Sequence, residues 1–412
     1  MGRNVLIVYL SLLNATFYQS EKCVSYTAPQ LQNPIVGMQT NEAAVQYIIQ
    51  KLNSEHQHLD EIIAFCSKQV REDNLEKEDR NKKTTTFDYF TDKVKTYPNG
   101  GNKITIKKIE TNDVLNVNEQ VKKMKKLSQY LFSDFKATSE DKFYIDFTGG
   151  KRDSAMLLIN IMHLLEFRQL ELKEITYADM NAPVTDEQRT GNLVDCTYLY
   201  KMSDIITAMD DFFSYGSAAK LSTYFKDSEN HDLNNLLMSL KAFSEHLSLC
   251  RVSFLNDDID NISEYFGAYR KPNNSSIAKN TEENNYKESF FRLLVARIES
   301  EFAEIFKADK VNRIVPICEW CYKKDMLQQA ESIINEQFPS IICQNMLLLP
   351  TKAFVKAEEN KKREKDYYDT WPRYIFKALL HQKDENNKNK ELDINIIKQN
   401  MVFCDKVNSQ GN

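Results

Sequence analysis

Apolar and polar positions follow two different periods in the first half of the chain and one in the second. Val5 to Leu13 is an apolar run mixing β-branched residues with Leu and Tyr, and it predicts a buried first strand. Asn14 to Thr40, with Pro34 and Gly37, reads as a polar loop. From Glu42 to Leu52 the pattern turns helical, with Ala43, Val45, Ile48, Ile49 and Leu52 on one side. Glu61 to Cys66 predicts a second buried strand, and Arg71 to Lys83 is a charged, solvated stretch. Ile104 to Ile109 predicts a third strand, Val114 to Phe132 a helix and Phe143 to Phe147 a fourth strand. A strongly apolar helix over Ser154 to Glu166 and a fifth strand over Leu172 to Tyr177 complete the series. Strands alternating with helices imply a parallel sheet with right-handed crossovers, hence an α/β domain with a Rossmann-like parallel sheet.

Beyond Val194 the pattern is helical. Met202 to Phe213, Leu233 to Leu249, Ile259 to Tyr269, Tyr286 to Phe306, Val315 to Gln337 and Trp371 to His381 all carry the helical period. The change of character within residues 195–220 predicts an α/β domain over 1–200 and an all-α region over 201–412. Lys271 to Asn285 and Lys383 to Lys390 read as flexible connections, and Val407 to Asn412 as a frayed end.

Composition narrows the function classes. At 412 residues, 42% hydrophobic and 27% charged, the chain is globular and long enough for two or three domains. A net charge of −5 argues against a broad basic surface gripping duplex DNA but leaves room for a local basic pocket. Eight cysteines without framework spacing fit a reducing, cytoplasmic setting. Cys318 and Cys321 form a lone CxxC without a second ligand pair, so they read as buried helix thiols and no metal is expected. The acidic group Asp257, Asp258 and Asp260 reads as charge at a helix N-terminus. The Val5–Leu13 run is too short to span a bilayer and has no cleavage site after it, so no membrane association is expected.

One segment carries most of the chemistry: Phe143-Tyr-Ile-Asp-Phe-Thr-Gly-Gly-Lys-Arg-Asp-Ser154. A buried strand runs into Thr148, Gly149 and Gly150, then Lys151 and Arg152, then a helix. The glycines permit a sharp turn and close approach to a ligand. The helix start offers free N–H groups and a positive dipole end, to which Lys151 and Arg152 add charge. This is an anion pocket at the carboxyl edge of a parallel sheet, against the alternative of a tight turn beside a solvated basic pair. It matches neither GxGxxG nor a P-loop, which sets aside ordinary dinucleotide or ATP binding. Tyr9-Leu-Ser-Leu-Leu-Asn-Ala-Thr-Phe-Tyr18, with Tyr26 after it, is a second strand ending in small polar residues. If the two strands are neighbours, Ser11, Asn14 and Thr16 line the same crevice. The alternative for each is an ordinary capping or turn role.

The pairing of YLSLLNATFY with FYIDFTGGKRDS resembles the CARF domain of effectors associated with type III CRISPR systems. Those are Rossmann-like sensors of cyclic oligoadenylate. Val194-Asp-Cys-Thr-Tyr, followed by Phe212-Phe-Ser-Tyr-Gly-Ser217, resembles the family's sensor-to-effector segment. Glu319-Trp-Cys-Tyr-Lys-Lys-Asp-Met-Leu-Gln-Gln-Ala330 resembles its WC…QQA helix, which precedes a HEPN ribonuclease domain. The resemblance implies a ligand loop at Thr148, Gly149, Gly150, Lys151 and Arg152, and a first-strand loop over Ser11 to Thr16. It implies a cytoplasmic homodimer holding one cyclic oligoadenylate as activating ligand across a two-fold axis, with no other cofactor. A HEPN-type region further implies metal-independent cleavage of single-stranded RNA.

That chemistry needs Arg-x4–6-His, a cation and a general acid–base on one helix. None of the six histidines, His56, His58, His163, His231, His246 and His381, has an arginine at that spacing. Arg373 and His381 come nearest but stand about 80° apart around a helix, and the alternative for both is decoration of an amphipathic surface. His231 and His246 sit among apolar helical residues and read as satisfied core or boundary histidines. The helical region is therefore a ribonuclease by resemblance, or else truncated or degenerate. The alternatives are a non-catalytic module that sequesters ligand or recruits a partner, and a ring nuclease acting on its own ligand through Lys151 and Thr148.

Overall fold

The computed structural model describes residues 2–28, 31, 33–76, 83–112, 116–150, 152–180, 189–271, 282–344, 348–350 and 401–403. The chain divides into two compact units, Met1–Tyr200 and Lys201–Asn412. The first is α/β. In chain order it contains β1 (Asn4–Tyr9), α1 (Ala15–Gln19), β2 (Val24–Thr27), β3 (Ile35–Gly37), α2 (Thr40–Ser54), β4 (Glu61–Cys66), α3 (Lys68–Glu72) and α4 (Thr86–Val94). There follow β5 (Thr105–Glu110), α5 (Val117–Gln129), β6 (Lys142–Asp146), α6 (Arg152–Phe167), β7 (Glu171–Met180) and β8 (Arg189–Asp195).

The eight strands form one sheet in the order β3-β2-β8-β7-β6-β1-β4-β5. Its centre is parallel: β1 pairs with β4 and β6, β4 with β5, and β6 with β7. Alternate side chains of the central strands enter opposite cores. Leu6, Val8, Ile62, Ala64 and Tyr144 pack with α2 residues on one face, and Val5, Ile7, Ile63, Phe65, Phe143 and Ile145 with α5 and α6 residues on the other. Burial on both faces explains why β1, β4 and β6 read as unbroken apolar runs.

The mostly parallel sheet bears out the expected Rossmann-like α/β fold, and it is mixed at one flank. β7–β8 and β2–β3 are antiparallel, while β2 runs parallel to β8. Two of these strands lie in the stretch read as a polar loop, because Val24–Thr27 and Ile35–Gly37 are too short for periodicity to register. β8, Arg-Thr-Gly-Asn-Leu-Val-Asp, faces the core with only Gly191 and Leu193 fully buried. The first strand stops at Tyr9, short of Leu13, because the chain turns there into α1, capped by Asn14. α4 carries no apolar run long enough to announce itself; a capping box between Thr85 and Asp88 starts it.

The second unit begins near α7 (Thr197–Tyr215) and continues through α8 (Ala219–Tyr224), α9 (His231–Ser248), α10 (Leu255–Arg270), α11 (Glu282–Lys307), α12 (Ile314–Lys323) and α13 (Leu327–Gln344). The single helix expected over Val315 to Gln337 is two, broken at Asp325, whose φ of 56° ends the first. A short antiparallel pair, β9 (Leu348–Pro350) with β10 (Met401–Phe403), qualifies the all-α expectation. Trp371 to His381, Lys383 to Lys390 and Val407 to Asn412 lie outside the described residues, as does most of Lys271 to Asn285, whose last residues open α11.

The helical core is aromatic. Phe212 meets Phe302 and Trp320 at ring-centroid distances of 6.0 and 6.2 Å, and Phe243 meets the same two rings at 5.4 and 5.5 Å. Gly216, at φ 68°, ends α7 against the Trp320 ring, leaving no room for a Cβ. The Lys324 ammonium closes the corner by donating to the Phe213 carbonyl and pairing with Glu301 at 3.2 Å. Two separated sequence segments, around Phe212 and around Trp320, thus meet in one core. Cys318 and Cys321 lie on α12, where burial pushes their thiols up to about 11 and about 12. Asp257 and Asp258 occupy the first turn of α10. Asp258 receives the His246 ring at 2.7 Å, and Asp260 binds Arg313 at 2.8 Å and Lys310 at 2.5 Å. No helix among the described residues is long and apolar enough to cross a membrane.

Candidate functional site

After β1 the chain visits the far edge as β2 and β3; among the parallel central strands the order then runs outward from β1 through β4 and β5 and returns to the other side of β1 with β6 and β7. The point of reversal lies between β1 and β6, whose registers run Val5↔Phe143 to Val8↔Asp146. In open α/β sheets the loops that leave such a pair diverge to opposite faces and open a crevice at the carboxyl edge. Here those loops are Leu10 to Asn14 and Phe147 to Gly150. The two segments singled out in the sequence are therefore neighbours.

Two helix starts approach this edge from opposite faces. α2 comes from the side of Leu6 and Val8, and α6 from the side of Val5 and Ile7. Asn41, in the first turn of α2, is the hub. Its amide oxygen accepts from the Ser11 N–H at 2.8 Å; its amide nitrogen donates to the Tyr9 carbonyl at 3.3 Å and to Asp146 Oδ2 at 2.5 Å. Gln39 Nε2 donates to the Ser11 carbonyl at 2.6 Å, and the Ser11 and Thr40 hydroxyls share a hydrogen bond of 3.0 Å. The first-strand loop is thereby fastened to the start of α2.

Asp146, the last residue of β6, is wholly buried (0% exposed). Burial pushes its carboxyl up to about 6, against hydrogen bonds from Thr148 and Asn41 that favour the charged form. The Thr148 N–H donates to Oδ1 at 2.9 Å. The Thr148 hydroxyl accepts from the Ala178 N–H at 2.7 Å, tying the loop to β7. Gly149 sits so close over the Tyr9 carbonyl oxygen that any Cβ would collide with it. Gly150, at φ 89°, lies against the Tyr9 ring and Ser154. Among the described residues no acceptor faces the N–H groups of Gly149 and Gly150. Free backbone donors beside helix starts are the chemistry of an anion cradle.

Of the residues expected to line the crevice, Ser11, Thr148, Gly149 and Gly150 come together at the β1–β6 edge. Asn14 caps α1 by accepting from the Thr16 N–H at 2.8 Å, and Thr16 is exposed on that helix. Arg152 opens α6, and its backbone alone is described; Lys151, Arg373 and His381 lie outside the described residues. Asn41 and Asp146 went unnoticed in the sequence. Asp146 carried a signal, a lone carboxylate within the apolar run FYIDF. Asn41 carried none, since the helix pattern begins only at Glu42. Tyr26, on β2, is a core residue whose hydroxyl is pushed up to about 12 by burial, with the charges of Asp146 and Glu42 adding to it.

No protein-family model matches the chain, and no curated protein matches it. Among solved structures the chain is similar to Enterococcus italicus Csm6 bound to cyclic hexa-2′-fluoro-hexa-dAMP. That likeness has 10% sequence identity and a TM-score of 0.28, over 93% of this chain and 78% of the other.

Proposed function

We propose that the unit Met1–Tyr200 is a ligand sensor that binds an anionic nucleotide, of the cyclic oligoadenylate class, at the β1–β6 edge. The observation that carries this reading is the placement of the strand-order reversal between the two loops whose sequences resemble the CARF loops. An anionic ligand fits the unused N–H groups of Gly149 and Gly150, the start of α6, and the basic pair Lys151 and Arg152 that follows in sequence. A ring of identical nucleotides is matched by two copies of the same crevice, so the ligand is shared by a homodimer with an isologous contact. Binding then biases the helical units Lys201–Asn412, which act as the output in a type III CRISPR response.

For that output a non-catalytic role is the better supported reading. The 412 residues contain no Arg-x4–6-His, so the pair needed for metal-independent RNA cleavage is missing. The helical units then recruit a partner, or the sensor sequesters its ligand.

Calorimetric titration with cyclic tri-, tetra- and hexa-adenylate tests the sensor, on the wild-type protein and on Lys151→Ala/Arg152→Ala. One ring binding tightly at one ligand per two chains, with binding lost in the double variant, is expected. A folded protein that binds none of the rings overturns the reading. Intact ligand and uncut single-stranded RNA after incubation are expected; linear ligand products would establish a ring nuclease, and cut RNA a ribonuclease.

A further inference from the structure

Asp146 lies beneath the crevice without a counter-ion. Its partners are uncharged: the Asn41 amide donates at 2.5 Å and the Thr148 N–H at 2.9 Å. Among the described residues no lysine, arginine or histidine pairs with this buried carboxylate. The elements packed around it bring no positive charge either. β1 and β7 place Val8 and Thr176 opposite it, neither of them ionisable. On β2, Tyr26 is a buried phenol; on α2, Glu42 is a second carboxylate, engaged by the Tyr89 and Tyr97 hydroxyls. The α5 and α6 residues pack on the opposite face of the sheet.

Two contacts tie this carboxylate to the glycine turn. Thr148, whose N–H it accepts, directly precedes Gly149 in the chain. A Cβ at Gly149 would stand 2.8 Å from Asn41 Nδ2, the same nitrogen that donates to Asp146. An anion on the N–H groups of Gly149 and Gly150 is therefore a near neighbour of Asp146. Two like charges that close, in a site with little water, oppose each other's ionisation. Burial without a cation already holds the Asp146 carboxyl up at about 6, so a modest further repulsion carries it through neutral pH. The protonated acid keeps acceptor capacity for Thr148 and Asn41, so the loop stays fastened.

We propose that Asp146 is a proton-linked positioning residue of the crevice: an anion entering the Gly149–Gly150 cradle binds with uptake of a proton by this carboxylate. The identification of that anion as a cyclic oligoadenylate rests on the proposed function, whereas the linkage holds for any anion that fills the cradle. The free site is half-protonated near pH 6 and the occupied site at a higher pH. Binding is therefore tightest, and independent of pH, below about 6. It weakens as pH rises from there to the midpoint of the occupied site, and is flat again above it. Each unit between the two midpoints is worth about tenfold in affinity.

Calorimetric titration of the full chain with the cyclic adenylates and with sulfate, from about pH 5.5 to about pH 8, tests it. Repeating each titration in buffers of different ionisation enthalpy counts the protons taken up. Phosphodiesters and sulfate keep their charge across this range, so any uptake belongs to the protein. Uptake approaching one proton per site is expected above pH 6, with affinity at pH 8 about tenfold below that at pH 5.5. Asp146→Asn, which is neutral at every pH, is expected to bind without pH dependence in this window. The carboxyl carbon-13 shift of Asp146 reads the titration in the wild-type chain, and its midpoint is expected to rise when the ligand is added. That measurement decides the question even if the variant does not fold. Rings bound with no proton uptake and an unmoved Asp146 midpoint overturn the proposal and leave the sensor reading standing. A folded Asp146→Asn that keeps the wild-type pH profile overturns it as well. Proton-linked sulfate binding in a chain that takes no ring establishes the linkage and removes the sensor reading alone. A chain that binds neither anion overturns both.

Discussion

Asn41 and Asp146 hydrogen-bond at 2.5 Å across the point where the strand order reverses, joining the start of α2 to the end of β6. The same asparagine holds the Ser11 N–H and the Tyr9 carbonyl, so one side chain sets the spacing between the two loops of the crevice. Both residues are fully buried, and of the two only Asp146, its carboxyl pushed up to about 6 by burial, is ionisable.

Asp146 makes the stability of the first unit pH-dependent. Its carboxyl is raised from 3.8 to about 6, so between those values the folded chain holds more protons than the unfolded one. Stability falls as pH rises through this window, and the full contribution of about 3 kcal/mol is gone above pH 6. Hydrogen exchange of β1 and β6 amides from pH 3.5 to 7 checks the sign. Asn41→Ala removes a donor to the carboxylate, and it is expected to move the upper end of the window to higher pH.

Gly149→Ala is expected to separate the β6 loop from β1, because the added Cβ meets the Tyr9 carbonyl oxygen and backbone cannot yield as a flexible side chain can. A loss of about 3 kcal/mol or more fits this class of clash. Gly101→Ala is the control. Its φ of 79° brings backbone strain of about 1 kcal/mol, but nothing stands within 4 Å of the new methyl. The two melting temperatures are expected to separate by several degrees.

Asp141 behaves oppositely to Asp146. Burial works against its ionisation, but hydrogen bonds from the Arg3 side chain and backbone and from the Thr138 N–H outweigh it and hold the carboxyl down at about 2. This contribution is fully present above pH 3.8 and is lost as pH falls through about 2. Arg3 is more than a third exposed, so solvent screening limits the gain to about 1–2 kcal/mol. Asp141→Asn is expected to flatten the acid limb of the unfolding curve.

In the helical unit, Trp320→Ala is expected to cost about 3–5 kcal/mol, since the ring packs on Phe212, Phe243 and Phe302 and fills the space beside Gly216. Lys324→Met leaves the Phe213 carbonyl and Glu301 without their donor, which costs about 1–3 kcal/mol. For both variants, hydrogen exchange is expected to accelerate in α7 and α12.

Much of the candidate site was legible because a turn that admits only glycine leaves its mark locally. Thr148-Gly149-Gly150 after a buried run announces a strand end and a close approach, whatever the rest of the chain does. Ser11 was legible for the same reason, as a small polar residue following β1. Asn41 was not. It lies on a helix whose period is read from apolar neighbours, and nothing in the local pattern distinguishes an inward amide from a solvated one. The antiparallel strands β2, β3 and β8 escaped for a related reason: three to seven residues with mixed exposure carry too little pattern to separate a strand from a loop.

The sequence by itself determined the long elements, the change from alternating strands and helices to a mainly helical region, and the Gly149–Gly150 turn, because hydrophobic period and backbone freedom act between near neighbours. The tertiary structure alone decided that β1 and β6 lie side by side, that the order of the central strands reverses between them, and that Ser11, Asn41, Asp146 and Thr148 meet at that edge. Those placements depend on which strands pair across more than a hundred residues, a choice made by burying two faces of one sheet at once and written in no single segment of the chain.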